Sequence, residues 1–218
     1  MTNRYQLRPK AALWPDLSGN IYCIGRNYAD HAKELGNSIP TEPVIFLKAP
    51  SALRDLKQGP LAFPTETFHH ELELCLLIGQ NINSAAEIDH NTVIALSLAL
   101  DLTRRSVQEQ LKKQSLPWTL AKSFAGSAIL SAFVAARGID LTEIDLQLEV
   151  NGEIKQQGHT SDMIFPCRSI LGYLCLQQPL QIGDLIFTGT PAGVGPLRQG
   201  DRLKVSSKIL SLSEEGIL

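Results

Sequence analysis

The stretch Glu71-Leu-Glu-Leu-Cys-Leu-Leu-Ile-Gly79 opens with strict alternation of acidic and apolar residues and then turns apolar at every position. That is how a strand reads when it runs into a core covered on both faces. Side chains two apart on a strand share a face, so Glu71 and Glu73 project the same way. Two adjacent anions beside buried residues repel each other unless a cation neutralises them. Two readings stand: the pair lies at the solvated start of the strand, or it faces a site that holds a cation.

The next apolar run, Val93–Asp101, has either helical or strand character. Its closure by Asp101, followed by the cappable Thr103, favours a second strand. Three carboxylates from two strands make an all-oxygen set, which suits a hard ion, Mg²⁺ or Mn²⁺, with water in the remaining positions. Zinc suits it less, because no His or Cys stands beside them at the usual spacing. His69 and His70, next to Glu71, read as packing or hydrogen-bonding groups.

Further out, Ile21–Gly25 and Pro43–Lys48 read as strands, and Asn27–Leu35 as a short helix stopped by Gly36. Residues 49–66 carry three prolines and read as turns and edge segments. Arg104–Gln114 is an amphipathic helix. Ile129–Val134 and Leu146–Asn151 are strands, and Asn151-Gly152 before Glu153–Gln157 signals a hairpin. Pro166–Gln177 reads as a helix and Leu185–Thr188 as a strand after the Gly183-Asp184 turn. Arg202–Ser206 and Ile209–Leu212 form a last pair. The sum is a strand-rich α+β chain, with an extended arm at residues 1–19 and one catalytic domain at 20–218.

Three further features carry possible chemistry. Lys122, in a weakly charged stretch, is a surface residue or a cation aimed at an anion. His31 and Glu34 are three apart on the presumed helix and can pair. Such a pair is an ordinary exposed contact or an oriented general base. Thr188-Gly-Thr-Pro-Ala-Gly-Val-Gly-Pro196 is a glycine-rich loop after a strand, whose amides and Thr190 hydroxyl can hold a carboxylate. It is neither a phosphate-binding loop nor a dinucleotide fingerprint.

The 218 residues carry a formal net charge of -2, which gives no sign of a nucleic-acid partner. No apolar run reaches the length of a membrane span, and the first ten residues hold no signal-peptide stretch. The four cysteines form no CxxC and read as buried reduced thiols. A cytoplasmic protein is expected.

Taken in order, GRNYADH (25–31), EPVIFLK (42–48), HHELEL (69–74), ALDLT (99–103), LPWTLAKSF (116–124), VNGE (150–153), DMIF (162–165) and GDLIFTGTPAGVGP (183–196) resemble the fumarylacetoacetate hydrolase family. The likeness is nearest to its short branch of acylpyruvate hydrolases. It implies a β-roll or sandwich with a few short helices, a homodimer and one divalent ion. Carried over position by position, it makes Glu71, Glu73 and Asp101 the metal ligands and Lys122 the active-site cation. His31 and Glu34 become a catalytic pair on a lid helix, and Arg26, Arg105, Gln108 and Thr190 line the substrate pocket. Ser106, Ala125–Ala128 and the tail Ser206–Leu218 depart from the family pattern. The expected activity is hydrolysis of the C3–C4 bond of acylpyruvates such as fumarylpyruvate or acetylpyruvate, through a pyruvate enolate. The alternatives are oxaloacetate decarboxylation or tautomerisation, and isomerisation or decarboxylation of a 2-oxo acid from aromatic degradation. A metal-dependent 2-oxo acid binding protein is the non-enzymatic alternative.

Overall fold

The computed structural model describes residues 19–36, 38–59 and 67–218, so the arm assigned to residues 1–19 lies, apart from Gly19, outside them. From the N-terminus run β1 (Ile21–Gly25), α1 (Ala29–Glu34), β2 (Val44–Lys48), β3 (Leu53–Asp55), β4 (Phe68–His70), β5 (Leu72–Ile78) and β6 (Val93–Asp101). Next come β7 (Thr103–Arg104), α2 (Arg105–Lys113), α3 (Thr119–Lys122), β8 (Ala128–Leu130), β9 (Val134–Ala135), β10 (Asp145–Val150) and β11 (Glu153–His159). The last are α4 (Cys167–Gln177), β12 (Leu185–Phe187), β13 (Gly195–Leu197), β14 (Arg202–Ser207) and β15 (Leu212–Ile217). This is the strand-rich α+β architecture that the sequence implies.

The main sheet has the order β2-β1-β12-β5-β6-β8-β3, with β9 also beside β6. At its centre, every residue of β5 is buried. Leu72, Leu74, Leu76 and Ile78 point into a core shared with Leu146 and Leu148 of β10 and Ile170, Leu171 and Leu174 of α4. Cys75 and Leu77 point the other way, toward Ile21, Cys23 and Phe187. Both faces are covered, which is why the alternation that begins at Glu71 gives way to continuous apolar residues. Each such leucine contributes about 1.5–3 kcal/mol by leaving water.

The sheet curls. Lys48 ends the edge strand β2, and Asp101 ends β6, four strands away. In a flat sheet a spacing of about 4.8 Å per strand would hold them at least about 19 Å apart. Lys48 Nζ instead stands 2.7 Å from Asp101 Oδ1. A second sheet, β11-β10-β14-β15, is built around the expected hairpin. Asn151 and Gly152 both take positive φ, 54° and 85°, the two-residue turn that matches strand twist.

Several elements differ from the sequence reading. The strand expected at Ile209–Leu212 is a turn, and β15 starts only at Leu212. Asp145 explains it: its carboxylate accepts the backbone N–H groups of Lys208 and Ile209 at 2.9 Å each. The strand expected at Ile129–Val134 breaks after Leu130, where the Ser131 hydroxyl takes the N–H of Leu98 and Ala132 turns its own N–H to Glu214. The turn-rich stretch 49–66 contains β3, paired parallel with β8. Finally, β4 and β13, not foreseen, pair with each other beside the main sheet. The four cysteines are free and buried.

Candidate active site

The antiparallel register of β5 and β6 sets Leu72 opposite Leu100 and Glu73 opposite Ala99. One step further, Asp101 N donates to Glu71 O at 2.8 Å. Opposed residues share a face. Glu71, Glu73 and Asp101 therefore converge at the end of the curled sheet's inner face. They are 5%, 2% and 0% exposed, which removes the solvated-strand reading. One oxygen from each lies within 4.8 Å of the others.

Cations from three other elements answer two of these acids. Lys122, the last residue of α3, is buried rather than on the surface. Its ammonium has three donors, and all are used: Glu71 Oε2 at 2.5 Å, Asp101 Oδ2 at 2.6 Å and Thr103 Oγ1 at 2.7 Å. Arg105, at the start of α2, holds Glu71 Oε1 at 2.5 Å and donates to Gln108 Oε1 at 2.7 Å. Lys48 pairs with Asp101 and donates to the carbonyls of Leu102 and Lys122.

Glu73 is different. It accepts the N–H of Gly189 at 2.7 Å but has no ion pair among the described residues. Position 189 must be glycine: its φ is +101°, and a Cβ would come within 2.6 Å of Asn27 Cβ. Burial, then the charges of Asp101 and Glu71, push the Glu73 carboxyl well above its usual range. For Glu71 burial acts in the same direction, but Lys122 and then Arg105 outweigh it and hold the carboxyl below that range. Burial disfavours the charge on Lys122, and Asp101 and Glu71 more than restore it. Two paired acids beside an unpaired buried third, all offering oxygen, fit a hard divalent cation of the Mg²⁺ or Mn²⁺ type.

His31 sits on α1 over the same cleft, buried rather than exposed, with Nδ1 3.5 Å from Glu34 Oε2. Burial lowers its pKa below the ordinary 6.5, against the pull of Glu71 and Glu34. Glu34 is itself held by the N–H of Gly193 in the glycine-rich loop, at 3.2 Å to each oxygen. The cleft brings together Arg26, His31, Glu71, Glu73, Asp101, Arg105, Gln108, Lys122 and Thr190. Glu34 stands behind His31 rather than in the lining.

Two residues were not singled out from the sequence. Lys48 carried a signal, being the lone charge that ends the apolar strand Val44–Lys48, as Asp101 ends its own. Gln156 carried none. It lies in the expected hairpin arm, yet its side chain is buried and accepts from Leu72 N at 2.9 Å and His70 Nδ1 at 2.8 Å. Its amide donates to Thr190 Oγ1 at 2.7 Å and Pro191 O at 2.9 Å. Gln156 thereby fixes β5 to the loop that carries Thr190, and gives His70 the hydrogen-bonding role expected of it.

The chain matches the family model "Fumarylacetoacetate (FAA) hydrolase C-terminal" over residues 20–215. It is 46% identical to the oxaloacetate tautomerase YcgM of Escherichia coli (strain K12), covering 85% of this chain and 87% of that one. It is 43% identical to a mitochondrial oxaloacetate decarboxylase of Dictyostelium discoideum, over 84% and 86% of the two chains. Among solved structures, a protein of Oleispira antarctica assigned as a fumarylacetoacetate isomerase/hydrolase superposes with a TM-score of 0.85 at 41% identity, covering 93% and 94%. A fumarylpyruvate hydrolase from Pseudomonas aeruginosa, solved with Mn²⁺ and pyruvate, gives 0.82 at 30% identity over 91% and 88%. Oxaloacetate is the substrate in the names of both sequence relatives, and fumarylpyruvate in that of the less similar structural one. Among the described residues, no helix is long and apolar enough to cross a membrane. The fold, the register of its acidic residues and these likenesses agree that the chain belongs to the fumarylacetoacetate hydrolase family, whose members here are enzymes.

Proposed function

We propose that this chain interconverts the enol and keto forms of oxaloacetate, with Mg²⁺ or Mn²⁺ held by Glu71, Glu73 and Asp101. The observation that carries the reading is a buried His31, whose pKa burial lowers, in the same cleft as the Lys122–carboxylate cluster. Proton transfer to carbon needs one base and one place to stabilise enolate charge, and no attacking water. The tautomerase relative supports the choice of reaction.

The bound ion would supply Lewis-acid polarisation of the C2 oxygen. Arg26, Arg105, Gln108 and Thr190 would orient the substrate. Glu34, beside His31 Nδ1, favours the tautomer protonated there and leaves Nε2 free to accept a proton. In the keto-to-enol direction Nε2 takes a proton from C3 and then returns it to the C2 oxygen, so His31 ends neutral and the product is an isomer with the same proton count. Lys122 offers a positive charge to the C2 oxygen while electron density gathers there. Decarboxylation through the same enolate is the second reading, favoured by the Dictyostelium relative.

Two measurements test this. Ultraviolet absorbance follows enol–keto exchange, which should stop after dialysis against EDTA and return with Mg²⁺ or Mn²⁺. In thermal denaturation, either ion at roughly 100 times its Kd should stabilise the protein by about 2.7 kcal/mol, and Glu71→Gln should remove most of that shift. Full turnover in metal-free buffer would refute the cation site.

The pH profile carries the sign of the His31 shift. Because the folded pKa is lowered, the neutral base persists as pH falls through 6.5, and its contribution to folding stability is full above that value. The rate should therefore stay level down to below pH 6.5 and decline only in more acid solution. A decline centred above 6.5 would show that His31 is not the group that moves the proton.

A further inference from the structure

The cluster of three carboxylates is matched in charge by Lys48, Lys122 and Arg105, but the cleft holds two more cations. Helix α2 presents Arg105, Gln108 and Lys112 to it. Steps of three and four place these residues in one row along the helix. A rise of about 1.5 Å per residue carries that row roughly 10 Å from Arg105 out to Lys112. Lys112 lies against Trp118, its Nζ 5.3 Å from the ring centroid. Arg26, at the turn after β1, with φ 59°, lines the same cleft. The neighbouring Asn27 clamps this turn, donating to Thr188 O at 2.7 Å and accepting from Phe165 N at 2.7 Å.

Arg105 is committed to Glu71 and Gln108. Neither Lys112 nor Arg26 pairs with an acid among the described residues. Burial, Arg105 and Arg26 together push the Lys112 amine below its ordinary pKa, only partly offset by Glu71. Cations gathered without a counter-charge, beyond a cluster already neutral, are the arrangement that an anionic ligand completes. A 2-oxo acid carries its first carboxylate next to the reacting carbonyl. Oxaloacetate carries a second at C4, whereas an acylpyruvate has an uncharged carbonyl carbon there.

Resting on oxaloacetate as the substrate, we propose that Lys112, assisted by Arg26, binds the C4 carboxylate and selects four-carbon dianionic 2-oxo acids. Lys112 is thus a specificity residue rather than part of the proton-transfer machinery. A residue that only packed on Trp118 would treat charged and neutral substrates alike.

The test uses the full chain with Mg²⁺ and two compounds that differ by one charge, oxaloacetate and its C4 amide, 2-oxosuccinamate. Wild type should prefer oxaloacetate. Lys112→Met keeps the aliphatic stem against Trp118, and should raise KM for oxaloacetate about tenfold with little change in kcat, the loss of one charge-assisted contact. The KM for the amide should move far less, so the preference collapses, and Lys112→Arg should retain most of it. Equal shifts on both compounds, or none, would overturn the assignment. If wild type turns over neither compound, the tautomerase reading fails by itself. Calorimetric binding of the same pair then decides the role of Lys112: a dianion preference lost in Lys112→Met supports it, and a preference that persists, or is absent from wild type, overturns it.

Discussion

Asp101→Asn is expected to lower turnover on the order of 10³-fold or more, through loss of electrostatic stabilisation at the reacting centre. The same change should lower stability by about 3–5 kcal/mol, because it leaves buried charge uncompensated. Asp101 is fully buried, and both its oxygens are engaged, Oδ1 by Lys48 at 2.7 Å and Oδ2 by Lys122 at 2.6 Å. Lys122 keeps Glu71 in the variant, but Lys48 keeps only backbone carbonyls. The two effects can be separated. Adding Lys48→Met to Asp101→Asn removes the stranded ammonium and should restore much of the stability, with none of the activity. Denaturant titration and ultraviolet assay of both proteins measure this. A single variant with more than about a tenth of wild-type turnover would contradict the electrostatic role given to Asp101.

His31→Ala is expected to depress enol–keto exchange by roughly 10²–10⁴-fold, the range for a lost general acid–base group. Oxaloacetate decarboxylation, which releases CO₂ without removing a C3 proton, should fall much less. Glu34→Gln should follow the same order more mildly, since that carboxylate orients the ring but does not carry the substrate's proton. It also accepts the Gly193 N–H, a contact that the amide oxygen of glutamine can still make. All three proteins assayed on both reactions give the answer. Equal losses in the two reactions would mean that α1 serves only to close and order the pocket, and His31 would have to be withdrawn as the base.

Much of this was readable because the strands announce themselves by period. The alternation at Glu71–Leu74 told which way two carboxylates face, and the single acid closing Val93–Asp101 marked where a strand leaves the core. What sequence could not give was the pairing partner. Nothing local says that Lys48 meets Asp101, since that contact follows from the curl of the sheet. Nor does the Glu153–Gln157 hairpin arm show that Gln156 is the one residue turned inward to join β5 to the Thr190 loop. The strand expected at Ile209–Leu212 failed for a similar reason: the N–H groups of Lys208, just before it, and Ile209, at its start, are claimed by Asp145, more than sixty positions earlier. Local pattern predicts faces well, and long-range hydrogen bonds poorly.

The curl also constrains the order of events during folding. The parallel pairing of β1 with β12 joins Ile21 to Leu185, and Lys48 bonds to the carbonyl of Leu102, 54 positions away. Glu73 takes its amide from Gly189, 116 positions along the chain. Each of these is a long loop whose entropy must be lost before the contact rewards it, and chains rich in such contacts fold slowly. A ribosome-bound chain that has released β5 and β6 already carries the three acids, but not the loop amide that Glu73 accepts. The cation pocket is therefore a property of the completed chain: one that ends at β6 holds the three acids without Lys122, Arg105 or the Gly189 amide that offset their mutual repulsion.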